Sequence, residues 1–88
     1  MGSMVRPRKG AVQIRFEILE YLCFNPTPQP KTHVWRRATT LSYDDFLKHL
    51  EGLTAKGLVK ELEDGTCSIT AEGRSIYDRL RNALSWIL

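Results

Sequence analysis

Between Gly10 and Phe24 the apolar residues fall in two stripes rather than one. Val12, Phe16, Leu19 and Cys23 form the first, and Ile14, Ile18, Tyr21 and Leu22 the second. Helical spacing then leaves Gln13, Glu17 and Glu20 as a narrow polar face, so the segment is predicted to be a helix with more apolar surface than one small core absorbs. The run Asn25-Pro-Thr-Pro-Gln-Pro30 ends it. Each proline lacks a backbone donor and turns its predecessor away from helix, which makes the run a stiff extended connector. A second helix is expected from about Thr32 to Ala38, with Val34 and Ala38 inward, before Thr39-Thr40-Leu41 breaks it.

Ser42 and Asp45 have the S-x-x-D spacing of a capping box, in which the serine oxygen accepts from the Asp45 amide and the Asp45 carboxylate reaches back to the Ser42 amide. Acid at this point serves the unpaired first-turn amides and the positive end of the helix dipole. The third helix is expected to run to about Lys56, with Tyr43, Phe46, Leu47, Leu50 and Leu53 inward and Asp44, Lys48, Glu51, Gly52 and Ala55 outward. Gly52 and Ala55 leave room for close approach, and Gly57 suits a left-handed helix end. Leu58 to Glu63 alternates as a strand, Asp64-Gly65 is a hairpin signal, and Thr66 to Thr70 returns as the partner. Thr70 is a candidate N-cap for a last helix over Ala71 to Leu88. In it Gly73, Ile76, Leu80, Ala83 and Ile87 recur at coiled-coil spacing, and Leu84, Trp86 and Leu88 widen the apolar surface.

Three helices, a hairpin and a final helix define an α+β chain, mostly α, of the winged helix-turn-helix type. Residues 1–9 are expected to be a flexible basic arm, in which Met1-Gly-Ser-Met4 looks like a cloning remnant. Residues 10–70 form the winged domain and 71–88 a dimerisation helix. The 88 residues suit one small domain with a single core. With no spanning apolar run and no signal-peptide pattern, the expectation is an intracellular, soluble, cytoplasmic protein.

The net charge is only +3, but it is unevenly spread. From Met4 to Thr40 seven basic residues face two acids, whereas from Leu41 to Gly65 three lysines face six acids. An anionic partner therefore meets the N-terminal half first. Cys23 and Cys67 lie in apolar surroundings without C-x-x-C spacing and are expected to be reduced packing residues. With His33 and His49 they show no zinc-finger pairing, so no metal and no cofactor are expected. No nucleophile or carboxylate pair accompanies His49 at a recognisable spacing, and the chain is read as a non-enzyme.

The run from Lys31 to Leu80 resembles small archaeal winged-helix proteins, including the ten-kilodalton chromatin-associated type that dimerises through a C-terminal helix. Its marks are Thr32, Val34 and Ala38, then Leu41-Ser42-Tyr43 with Phe46, Leu50 and Leu53, then Gly57-Leu58-Val59, and Thr70 with Gly73. The sequence departs from that family where Cys67 or Ser68 replaces an aromatic residue in the second wing strand, and in its short last helix.

The resemblance implies a nucleoid-associated homodimer bound to double-stranded DNA, as a transcription regulator or an architectural protein. In this fold Lys31, His33, Arg36 and Arg37 lie on the helix that crosses the phosphate backbone. Trp35 beside them is expected to pack. Ser42, Tyr43, Lys48 and His49 lie on the reading helix, Lys60 on the wing, and Arg6, Arg8 and Lys9 on the arm. The candidate dimer contacts are Ile76, Leu80, Ala83, Leu84 and Ile87. The acidic third helix and wing favour the alternative, a winged-helix module that binds protein instead of DNA.

Overall fold

The computed structural model of the chain describes residues 10–87, with side chains as far as Leu84. In chain order the elements are α1 (Ala11–Phe24), β1 (Gln29–Pro30), α2 (Lys31–Ala38), α3 (Tyr43–Ala55), β2 (Val59–Glu61), β3 (Thr66–Ile69) and α4 (Ala71–Ile87). The expected winged helix-turn-helix is present. One addition was not expected: the end of the proline run is a third strand. The sheet order is β1-β3-β2, antiparallel throughout, with Gln29 opposite Cys67 and Val59 opposite Ile69. Pro30 is tolerated because β1 is an edge, where a missing donor breaks no ladder.

Of the two stripes on α1, one does most of the core work. Ile14, Ile18 and Leu22 are buried together with Leu19, whereas Val12 stays 71% exposed and Phe24 66% exposed. Around this stripe gather Val34 of α2, Phe46, Leu50 and Leu53 of α3, and Val59, Cys67 and Ile69 of the sheet. Both cysteines are free thiols, Cys67 buried and Cys23 partly so. The ends of α3 follow the chain's local chemistry. Ser42 Oγ accepts from the Asp45 amide at 3.2 Å, without the expected return bond from the Ser42 amide to the exposed Asp45 carboxylate, and Gly57 takes φ +75° just beyond the C-cap. The hairpin turn closes through Gly65 at φ +85°, with Asp64 Oδ1 accepting from both the amide and the hydroxyl of Thr66.

The last helix is where pattern reading falls short. Thr70 does cap it, its Oγ1 accepting from Gly73 N at 3.0 Å. Gly73, however, is not available to a seam between two chains. It is buried against its own hairpin, where an added Cβ would collide with the Leu58 carbonyl and come within 2.7 Å of Ile69. One turn later Tyr77, which the coiled-coil spacing passes over, is the largest fully buried side chain among the described residues. Its ring stacks on Phe16 at 5.1 Å and meets the edge of Phe24, and its hydroxyl donates to Glu20 at 3.1 Å. Gly73 thus lets α4 approach closely, and Tyr77 fills the space against α1. The signal was the four-residue spacing of Gly73 and Tyr77, which puts both on one side of the helix.

Gly73→Ala should therefore cost about 1–3 kcal/mol, because backbone carbonyl cannot yield as a side chain can. Tyr77→Phe keeps the ring and loses one hydrogen bond, so it should cost only about 1 kcal/mol. Thermal unfolding of the two variants tests that order. Burial also raises the pKa of the Cys67 thiol and, with help from Glu20, of the Tyr77 hydroxyl. A group whose folded pKa is raised stabilises fully below its unfolded value and progressively less as pH climbs through the folded one. Tm should thus begin to fall above pH about 8.5, the ordinary thiol value. In Cys67→Ala the onset should move toward about 10, where tyrosine takes over.

Candidate nucleic-acid interface

Val34 is the buried anchor of α2; Arg36, about 200° around the helix from it, is turned away from the core, whereas Arg37, about 60° from it, stands at the edge of the side that faces α1. Arg36, Arg37 and His33 are all exposed. The two arginines diverge by about 100° around the helix. Arg36 lies over Trp35, with its guanidinium carbon 5.6 Å from the ring centroid. Arg37 lines a cleft with Glu17, Glu20, Tyr21 and Phe24 on the α1 side. Trp35 packs as expected: its Nε1 donates to the Leu41 carbonyl at 2.7 Å, and Tyr43 meets it at 5.1 Å with the rings at 71°. Tyr43 in turn stacks on Phe46, which ties the start of α3 to the end of α2. The turn between the two helices is therefore held by aromatic contacts and one indole hydrogen bond.

Lys31 differs from the other cations of α2. Its ammonium pairs with Glu61 of β2 at 3.0 Å, and that hydrogen bond raises its pKa. The pair joins the first residue of α2 to the wing and offsets one of the charges expected to face an anion. On the wing Lys60 is exposed, but Glu61, Glu63 and Asp64 surround the turn. A wing this acidic does not attract phosphate by charge.

On α3 the outward residues are Asp44, Lys48, Glu51 and Ala55, all exposed, and Ser42 is occupied as the cap. His49 is half-buried, and its Nδ1 accepts from Arg15 Nε of α1 at 3.3 Å. The room expected above Gly52 is taken by the same arginine: an added Cβ there would lie 2.7 Å from an Arg15 terminal nitrogen. A glycine inside a helix costs about 1 kcal/mol relative to alanine. Here that loss makes space for a cation on the flank of α3. Arg15 was not among the residues singled out from sequence, and the mid-helix glycine was the available signal.

Among the candidate dimer residues, Leu80 is partly buried while Ala83 and Leu84 are exposed, Leu84 to 45%. Leu80 and Leu84 share a groove with Val12 and Phe16 of α1. Ile76 lies in a separate hollow with Leu58 and Arg79. Arg6, Arg8 and Lys9, and the side chain of Ile87, lie outside the described residues. Among the described residues no cluster of metal-ligating side chains occurs, and no helix is long and apolar enough to cross a membrane.

An aromatic-locked turn, a capped α3 with an open outward face and a hairpin after it define the DNA-binding helix-turn-helix class. A family model described as winged helix-turn-helix matches residues 8–87, and the chain belongs to that family. The family is one of DNA-binding domains rather than of catalysts. No curated protein and no solved structure matches the chain.

Breaking the Lys31–Glu61 pair tests how the wing and α2 share charge. An exposed pair of this kind contributes about 0–1 kcal/mol, so Glu61→Gln should leave Tm nearly unchanged. Any affinity for duplex DNA should rise in that variant, since one cation is released and one acid removed. Fluorescence anisotropy on a labelled duplex, with thermal melts alongside, reads both effects.

Proposed function

We propose that the protein is a homodimeric DNA-binding protein that acts as a transcription regulator or as an architectural component of the nucleoid in the cytoplasm. The observation that carries this is the set of exposed cations on the helix-turn-helix itself, Arg36 and Lys48 foremost, beside a closed turn that holds α2 and α3 in fixed relation. In this reading α2 lies along the phosphate backbone with His33, Arg36 and Arg37, and α3 enters the major groove with Lys48 outward. Tyr43 and Ser42 hold the entry of α3 rather than reading bases. Arg6, Arg8 and Lys9, outside the described residues, add positive charge to the N-terminal end of the chain. Lys31 contributes less than its neighbours because Glu61 pairs with it.

Dimerisation completes the proposal. After Gly73 and Tyr77 are spent on its own domain, α4 still presents Leu80, Ala83 and Leu84, with Ile76 on the adjoining side. The groove of Val12, Phe16, Leu80 and Leu84 gives each chain an apolar surface that a second copy covers under twofold symmetry. Two α3 helices are thereby set at a fixed spacing, as palindromic half-sites require. The acid on α3 and the wing favours one competing reading, a module that binds a basic protein partner.

Salt titration decides between them. Duplex binding should weaken steeply with salt, at about 0.9 logarithmic units per phosphate contacted, whereas a protein interface need not follow that law. Arg36→Ala with Arg37→Ala should flatten the slope by roughly one to two units while lowering affinity for all sequences alike, with Arg36 accounting for the larger share. Lys48→Ala should instead change preference among sequences. Parent protein that fails to bind duplex DNA at low salt sinks the reading.

Assembly is checked separately by sedimentation equilibrium. The expected mass is about twice 10.1 kDa. Leu80→Glu places a charge in the seam and should shift the protein to monomer, with much weaker DNA binding as the linkage of half-sites is lost. A parent chain that is monomeric at tens of micromolar removes the dimer from the proposal.

A further inference from the structure

Resting on the DNA-binding reading above, we propose that Arg15 of α1 is a phosphate-contacting residue of the α3 face, positioned by His49 and admitted by Gly52. Helix α1 is otherwise the core element of the domain, and its neighbouring residue Ile14 is buried. Arg15 leaves that setting by laying its half-buried stem toward α3 and placing its guanidinium against the helix backbone at Gly52. Arginine stems commonly cover apolar surface while the head stays wet. Among the described residues the one side-chain hydrogen bond of Arg15 is from Nε to His49 Nδ1, at 3.3 Å. Among the described residues no carboxylate pairs with the two terminal nitrogens.

The chemistry of the group names the ligand. A guanidinium presents a planar fork of donors that matches two oxygens of a phosphate, and holding Nε in place orients that fork in advance. The fork sits on the flank of α3, between its buried side and the outward side that carries Lys48. A helix in the major groove has a sugar-phosphate strand along each flank, so a cation there meets backbone rather than bases.

Gly52 makes the idea testable without changing charge. The three atoms nearest to an alanine methyl at that position all belong to the Arg15 guanidinium, the far end of a flexible side chain, so the guanidinium moves and the helix does not. Binding constants on a labelled duplex are measured over a range of salt for the parent, Arg15→Gln, Gly52→Ala and their combination, with Tm for each. Arg15→Gln should reduce the slope of log affinity against log salt by about 0.9 and weaken binding several-fold. Gly52→Ala should reproduce most of that change with an equal or higher Tm, and the double variant should bind no more weakly than Arg15→Gln alone. His49→Leu, which removes the acceptor, should lose part of the slope, and His49→Gln, which keeps one, should restore it.

A parental slope in Arg15→Gln, while Arg36→Ala with Arg37→Ala still lowers it, overturns the proposal: Arg15 is then a strut between α1 and α3, and the DNA-binding reading survives. A parental slope in Gly52→Ala or His49→Leu overturns the positioning. Absence of duplex binding by the parent removes the underlying reading, and this proposal with it.

Discussion

A chain this short has one core, and α1 supplies its centre. Ile18 and Leu22 are fully buried, and α2, α3, α4 and β3 all pack onto that helix. Because α2 and α3 both pack on α1, the angle between them is set by how Val34, Phe46 and Leu50 fit on one helix rather than by the turn alone. The aromatic contacts of Trp35, Tyr43 and Phe46 then fix the turn locally. Two constraints agree on one geometry, which is what holds a reading helix in place.

The acids at the start of α3 take their meaning from this frame. Ser42 and the first-turn carboxylates serve the helix end, where four amides have no partner within the helix. Of the other acids between Leu41 and Gly65, Glu61, Glu63 and Asp64 stand on the wing and Glu51 on the outward side of α3, while Arg36 and Arg37 stand on α2 and Arg15 on the flank of α3. Charge is thus divided by surface rather than by segment. Lys31 belongs in sequence to the basic half but in space to the acidic wing, through its bond to Glu61.

Local chemistry was legible in the sequence wherever one residue dictates one conformation: the Ser42 cap, Gly57 beyond α3, the Asp64-Gly65 turn and the Thr70 cap all stand where spacing put them. The inward positions of α3 followed from period alone. Contacts between distant segments were not legible. Periodicity places a residue on a side of its helix but says nothing of what meets it there, so Tyr77 against Phe16, Arg15 against Gly52 and Gln29 opposite Cys67 had no sequence signal beyond a glycine or an extended proline run. For α4 the coiled-coil spacing was real but shared: Gly73 serves the domain, and only the later turns are left for another chain.

The short strand β1 has one more effect. Without it β3 would be an open edge, with its donors and acceptors free to pair with the same strand of another molecule. With it the sheet ends on Gln29 and Pro30 at one side, where proline offers no amide, and on β2 at the other, only three residues long and charged at Lys60 and Glu61. Neither border is a good template for a further strand. The proline run that stops α1 thus also protects the fold against growth through its sheet.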